Sequence, residues 1–182
     1  VGEIGDTHVT LSTALGEVSG ITEGTVYAGG LVGHYDGSNA SYAISSSTAS
    51  GAIRADSGSG FAGGLVGYMS SGAVTQSSAS GRVQASDSRS QGTAHYAGGL
   101  VGYFGGSQAM TDTSATGAVS ANYAAGGLVG YYTSSGLLSN GSASGQVVGS
   151  THVGGLVGRL QSGGIQNGVA IGDVVANGNP TI

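Results

Sequence analysis

The sequence predicts an all-β fold, a parallel β-solenoid of about five to six rungs in which each repeat forms one turn. Three observations lead to this prediction. The string Gly-Gly-Leu-Val-Gly occurs five times, and its starts are 34, 35, 28 and 28 residues apart. A second string, of the type Ser-Ala-Ser-Gly-Xaa-Val, follows each copy. The composition is rich in Gly and poor in charge, which suits β-strands whose backbones approach closely.

Composition separates this fold from other Gly-rich chains. The 182 residues include 39 Gly, one Pro and no Cys, and 7% are charged, against about 7% Gly and about 25% charged in an average protein. Collagen requires Gly at every third position and abundant Pro, and this chain has neither. A disordered Gly/Ser linker is disfavoured because 38% of the residues are hydrophobic and recur at fixed places.

The first string predicts a strand that is covered on both sides. In the central copy, Gly99 and Val101 fall on one face of a strand, and Leu100 and Gly102 fall on the other, so both faces are apolar. The copies are Gly29–Gly33, Gly63–Gly67, Gly98–Gly102, Gly126–Gly130 and Gly154–Gly158.

The second string predicts a half-buried strand. In the copy at 77–83, Ala79, Gly81 and Val83 are small or apolar, whereas the residues between them are polar. The first of its six copies, Ser12–Val18, has no recognisable first string before it. We therefore expect one repeat domain over 1–182, with an atypical cap or junction at 1–25, five repeats over 26–176 and a tail at 177–182.

The shortest repeat, 28 residues, suits a rung of two or three short strands. The longer repeats contain extra residues, and those at Ser86–Ala94 predict an exposed loop because they are Ser, Asp, Gln and Gly. Such insertions in solenoids often form a working face.

Aromatic residues recur at fixed offsets from the first string, so stacking predicts ladders of rings along the axis. Tyr68, Tyr103 and Tyr131 follow the motif Leu by three residues, and Phe104 and Tyr132 follow it by four. These five are the candidate contact residues of the molecule. Because they adjoin the most apolar string, packing is a better interpretation than ligand stacking.

Charge and motif patterns disfavour several functions. The net charge is −5 and the four Arg are dispersed, which argues against nucleic-acid binding. No stretch is apolar enough for membrane insertion. Asp87 and Asp112 could approach each other across rungs, but nothing singles them out as a catalytic pair, and the four His lack metal-ligand spacing. No catalytic, metal or cofactor site is therefore predicted. Thr111-Asp112-Thr113 is the one Thr-Xaa-Thr string that suits an ice-binding plane.

The string Ala-Gly-Gly-Leu-Val-Gly with a Ser-rich second half resembles the GLUG repeat of large bacterial cell-surface and secreted proteins. The resemblance covers about residues 26–176. It implies a β-solenoid at an extracellular or bacterial cell-surface location, as in adhesins, and it transfers no catalytic residue.

These observations together predict a structural protein, not an enzyme: a segment or subunit of an extracellular surface fibre or adhesin. An open solenoid exposes strand edges at both ends, so identical chains are expected to stack end to end into a filament. The acidic first 36 residues, which carry a charge of −5, oppose this mildly. The alternative is a module that binds carbohydrate, a host or cell surface, or ice.

Overall fold

The computed structural model describes residues 1–37, 41–87 and 94–177. The predicted fold class is confirmed: the described residues form parallel sheets without a helix, and strands from successive repeats stack in chain order. The chain winds as a β-solenoid whose described part has four stacked sheets, here named A to D.

Sheets A and B each contain six strands in the described part of the chain. Sheet A consists of β1 (Glu3–Ile4), β5 (Val32–Tyr35), β9 (Val66–Met69), β14 (Val101–Phe104), β19 (Val129–Tyr132) and β24 (Val157–Leu160). Sheet B consists of β2 (Val9–Thr10), β6 (Ala43–Ser45), β10 (Ala73–Thr75), β15 (Met110–Thr111), β20 (Leu137–Ser139) and β25 (Gly164–Gln166).

Sheet C is equally regular, whereas sheet D has two arms. Sheet C consists of β3 (Thr13–Ala14), β7 (Thr48–Ala49), β11 (Ser78–Ala79), β16 (Ser114–Ala115), β21 (Ser142–Ala143) and β26 (Val169–Ala170). Two long strands of sheet D, β4 (Val18–Gly29) and β8 (Ile53–Gly63), run through both arms. The first arm continues with β12 (Val83–Ser86), β17 (Val119–Ala121), β22 (Val147–Gly149) and β27 (Val174–Ala176); the second continues with β13 (Ala94–Gly98), β18 (Ala124–Gly126) and β23 (His152–Gly154).

Each passage through sheets A, B, C and D is one coil. Coils 1 to 6 comprise residues 1–29, 30–63, 64–98, 99–126, 127–154 and 155–177. A coil has four or five strands, not the two or three expected, because several are only two residues long and are separated by tight corners. Coil 1 stacks in the common register although its sequence departs from the repeat, with Glu3 beside His34 and Ile4 beside Tyr35.

This register shows where coil 1 joins the repeat. The amides of Gly33 and His34 donate to the carbonyl oxygens of Val1 and Gly2, at 3.0 and 2.9 Å. Val1 and Gly2 thus occupy the places that Val32 and Gly33 hold in coil 2. They correspond to the last two residues of the Gly-Gly-Leu-Val-Gly string.

The interior contains two apolar cores. The larger lies among sheets A, B and C and includes Val101, Phe104 and Leu100. The smaller lies between the arms of sheet D and includes Val83 and Ala97. The prediction that Leu100 and Val101 lie on opposite faces is wrong, because the chain bends at Gly99–Leu100 and both side chains enter the larger core.

Glycine is required where neighbouring coils approach most closely. A Cβ built on Gly81 would lie 1.9 Å from the carbonyl oxygen of Gly51 in the coil below. A Cβ on Gly99 would lie 2.7 Å from the Cβ of Ala115 and 2.1 Å from the oxygen of Gly127. The small residues of the two strings therefore pack against one another, and neither position has room for a side chain.

The corner between sheets B and C repeats an unusual backbone conformation. One residue at this corner in each coil has a φ of 48–53°, in the left-handed region, and these residues are Leu11, Ser46, Gln76, Asp112, Asn140 and Asn167. The Nδ2 of Asn167 donates to Oδ1 of Asn140 at 3.1 Å, and the Nδ2 of Asn140 donates to Oδ1 of Asp112 at 2.8 Å. Asn and Asp tolerate this conformation better than most residues, so the sequence suits the corner best in coils 4 to 6.

The alternation predicted for the second string is confirmed. Ala79, Gly81 and Val83 are buried, whereas Ser80 and Arg82 are exposed. The predicted Ser86–Ala94 loop lies mostly outside the described residues, and so does all but the first residue of the predicted tail at 177–182.

Candidate interaction surfaces

Two adjoining columns of side chains form an aromatic strip along the solenoid. Sheet A supplies one column and the second arm of sheet D supplies the other, so the rings contact one another both along the axis and across the two columns. Tyr68 and Tyr103 stack with centroids 4.4 Å apart and planes 3° apart. We define the aromatic strip as Tyr27, His34, Phe61, Tyr68, Tyr96, Tyr103, Tyr123, Tyr131, His152 and Arg159.

The candidate contact residues divide between the strip and the core. Tyr68, Tyr103 and Tyr131 are half-buried members of the strip. Phe104 and Tyr132 have no exposed surface and pack against each other in the larger core, with centroids 5.2 Å apart and planes tilted by 31°. Residues three positions after the motif Leu therefore form an outer column of side chains, and residues four positions after it form an inner column.

Neighbouring side chains occupy the polar tips and the faces of the strip. Thr133 Oγ1 donates to the hydroxyl of Tyr103 at 2.9 Å, and the hydroxyl of Tyr131 donates to Gln161. The guanidinium of Arg159 lies 4.8 Å from the ring centroid of Tyr131, which is a cation–π distance. The strip thus ends in coil 6 on a cation instead of a ring.

Burial changes the acidity of several tyrosines. Burial, and then the nearby hydroxyls of Tyr103 and Tyr27, raise the pKa of Tyr68 to about 12. Burial likewise raises the pKa of Tyr96, and the neighbouring Tyr123 adds to this rise. These hydroxyls therefore stay protonated at neutral pH, and their rings pack against neighbouring rings of the strip.

Tyr123 shows how the strip accommodates an irregular repeat. In the sheet register, Ala124 and not Tyr123 lies beside Tyr96. The Tyr123 ring nevertheless reaches the strip, because its centroid is 5.5 Å from that of Tyr96 and 5.0 Å from that of His152.

A second surface, missed in the sequence, runs along the first arm of sheet D. Two shallow depressions of about 260 and 250 Å³ lie on its outer side. The first is lined by Gln84, Ser120 and Asn122, and the second by Arg54 and Arg82. Their amide, hydroxyl and guanidinium groups offer hydrogen bonds to a polar ligand. The sequence did contain a signal for this surface, because the residue between Val83 and Ala85 is polar. Sheet pairing places it in a column with the equivalent polar residue of the next coil, Ser120.

The histidines lie in different surroundings in the solenoid. His34 and His152 lie in the aromatic strip, whereas His95 is fully buried and its Nε2 donates to the carbonyl oxygen of Ser57 at 2.6 Å. Among the described residues, no three His, Asp or Glu side chains come close enough to hold a metal ion. Asp112 lies at a corner and accepts a hydrogen bond from Asn140.

One buried carboxylate was not predicted. Asp56 is 3% exposed, and its Oδ2 accepts a hydrogen bond from Arg54 at 2.8 Å, two residues earlier on the same strand. The Arg-Xaa-Asp spacing places both side chains on one face of β8, which was the available signal.

The Thr-Xaa-Thr string does not form an exposed rank. Thr113 is 2% exposed, because the left-handed corner at Asp112 turns the chain between the two threonines. Thr111 is half-buried and shares a hydrogen bond with Ser139 at 3.2 Å. The geometry of this corner therefore gives the string no flat pair of outward Thr side chains.

Comparisons with known proteins find no relative. No protein-family model matches the chain, and no curated protein or solved structure matches it significantly. The resemblance to GLUG repeats stays a prediction. In the described part of the chain, no helix is both long enough and apolar enough to cross a membrane.

Proposed function

We propose that the chain is a structural segment or subunit of an extracellular bacterial surface fibre or adhesin, in which it serves as a stiff rod. The observation that carries this proposal is the common register of all four sheets through coils 1 to 6. Parallel ladders of backbone hydrogen bonds run along the axis, and an apolar core runs beside them. Such an arrangement resists extension and bending.

The surface supports a structural role. In coils 2 to 5, five of the eight exposed positions of the second string are Ser or Thr, which hydrate well, and one is charged. The aromatic strip uses its ring faces for internal packing, which stiffens two adjoining sheets. The extracellular location rests on the resemblance to GLUG repeats, and it requires its own test.

Location can be tested by immunogold electron microscopy with antibodies raised against the purified chain. We expect gold on the outside of intact source cells, and we expect its loss after protease treatment that leaves the cells whole. An antibody against a cytosolic protein is the control for intactness. Label that appears only after lysis would overturn the proposal.

The depressions on sheet D favour a second candidate, a carbohydrate-binding module. Their lining of Gln84, Asn122 and Arg82 suits the hydroxyl groups of a glycan that lies along the axis. A glycan array tests this function directly, and Gln84→Ala should abolish any binding seen. Binding that persists in this variant, or that is lost in Tyr103→Ala instead, would assign the glycan to the aromatic strip.

A further inference from the structure

Both ends of the solenoid expose residues that are buried or half-buried in the middle. In coil 1, Ile21 is 58% exposed, whereas Asp56, its neighbour in the register, is 3% exposed. In coil 6, Leu160, Ile165 and Val174 are 45%, 44% and 47% exposed. The positions equivalent to Val174 are buried in coils 2 to 5, at Ile53, Val83, Val119 and Val147.

The same ends present backbone groups for further pairing. Among the described residues, β1, β2 and β3 each pair on one side only, with coil 2. At the other end, β24, β25, β26 and β27 have partners only in coil 5 as far as residue 177, where the described chain ends. Unpaired strand edges of this kind accept a further strand in parallel register.

We propose that the partner of these ends is a second copy of this chain, whose coil 1 stacks on coil 6 in the register that joins the coils within one molecule. The proposal rests on the proposed function as a fibre and specifies how the fibre grows. Head-to-tail stacking keeps every strand parallel, whereas two like ends would meet with opposed strand directions.

The side chains of the two ends match in this register. If the second copy continues the register by one coil, Leu160 lies beside Ile4 of that copy in sheet A. In sheet B, Ile165 lies beside its Val9. In sheet C, Ala170 meets Ala14, and in the first arm of sheet D, Val174 meets Val18. Each of the four sheets therefore continues an inward apolar column across the joint.

Charge favours the head-to-tail order. In the outer column of sheet A, Arg159 of coil 6 would lie beside Glu3 of the next copy. Opposite charges directly across a parallel pair attract. Coil 1 has four acidic residues and no Arg or Lys, so two coil 1 ends repel each other. One like-charged pair, Asp173 with Glu17, opposes the joint.

A glycine column provides a specific test of the joint. A Cβ on Gly172 would lie 2.0 Å from the oxygen of Gly145, as in every pair of neighbouring coils in this column. A Cβ on Gly16 has nothing within 4 Å among the described residues, since none of them forms a coil below coil 1. In the stack, however, Gly16 would face the oxygen of Gly172, so Gly16→Ala should fold normally and be unable to stack.

The experiment compares wild type, Gly16→Ala and Ser80→Ala by sedimentation velocity over a range of concentrations and by negative-stain electron microscopy. We expect wild type and Ser80→Ala to form rods that lengthen by about 29 Å per copy, from six coils at about 4.8 Å each. Gly16→Ala should stay a single molecule with an unchanged circular dichroism spectrum. Ser80 is the control because its side chain is exposed and lies away from both ends.

The charge pair gives an independent arm. Glu3→Arg should raise the concentration for stacking about 1.5- to 5-fold, the effect of one exposed ion pair, and adding Arg159→Glu should restore it. Wild type that stays single at every soluble concentration overturns the proposal, and so does Gly16→Ala that polymerises like wild type. Neither result affects surface labelling, so the location of a non-polymerising rod remains separately measurable.

Discussion

At the residue scale, single atoms decide which side chains the fold accepts. Gly81 is buried where two corners touch, and Gly16 occupies the same column at the open end. Gln76 has a left-handed backbone, whereas Gln84 lies in an extended strand. These pairs have the same residue type in different surroundings, so they separate the effect of position from the effect of chemistry.

Gly81→Ala should destabilise the protein by about 3 kcal/mol or more, since its Cβ would lie 1.9 Å from a carbonyl oxygen and the stacked coils cannot separate locally. Gly16→Ala should change the free energy of unfolding of the single molecule by no more than about 0.5 kcal/mol. Urea unfolding followed by circular dichroism measures both. Equal losses in the two variants would show that the close contact does not explain the glycine column.

Gln76→Asn should stabilise the protein by about 0.5–1 kcal/mol, because Asn tolerates a φ of 48° better than Gln does. The control, Gln84→Asn, should give no gain, since Asn is a poor residue in an extended strand. Thermal unfolding of the two variants beside wild type measures the difference. A gain in both variants would point to a cause other than the corner conformation.

At the element scale, the aromatic strip links sheet A to the second arm of sheet D. Its rings stack both along the axis and across the two sheets, as Tyr96 does with Phe61 and with Tyr131. The strip therefore couples neighbouring coils through side chains as well as through the backbone ladders. The stability of the aromatic strip depends on tyrosine hydroxyl groups that remain protonated.

Alkaline pH should weaken the strip. The folded state raises the pKa of Tyr68 from 10.0 to about 12, so the proton is held more tightly in the folded chain than in the unfolded chain. The stabilisation is complete below pH 10 and is lost as the pH rises to about 12. Urea unfolding across this range should show a fall in stability that is shallower in Tyr68→Phe.

The fall should not disappear in this variant, because burial also raises the pKa of Tyr35, Tyr96 and Tyr132. At neutral pH, Tyr68→Phe keeps the ring and should unfold at nearly the wild-type urea concentration. An identical pH dependence in wild type and variant would exclude Tyr68 as a contributor.

At the scale of the whole molecule, stability should vary with position along the axis. Coils 2 to 5 have a packed neighbour on both sides, whereas coils 1 and 6 have one in the described chain. In a stack of repeats that contact only their neighbours, the ends open first. Joining two molecules would convert both ends into interior coils.

Amide hydrogen exchange should show this gradient in the single molecule. The amides of Leu65, Leu100 and Leu128 donate to the next coil at 2.8–2.9 Å and should exchange slowly, whereas amides of coil 6 should exchange fastest. The Gly16→Ala variant keeps the sample unstacked. Uniform protection along the chain would contradict the prediction, and slower exchange at both ends of wild type would report stacking.

The sequence predicted the fold and part of the candidate surfaces because repetition carries that information. Identical strings can stack only in register, so the columns that contain Tyr68, Tyr103 and Tyr131 follow from their common offset. The burial of Ala79 and Val83 follows from alternation. The depression beside Gln84 was missed, because the path of sheet D is not encoded in any single string.

By itself, the sequence determined the parallel stack, the repeat register and the need for glycine, since a period repeated along a chain specifies which residues become neighbours in space. The tertiary structure decided how each coil closes. A left-handed residue such as Asp112 turns the chain at one corner, and the bend at Gly99–Leu100 sends Leu100 and Val101 into the same core. Corner geometry depends on the backbone dihedral angles of single residues and on the space that the facing sheet leaves for their side chains. The repeated strings do not encode either of these.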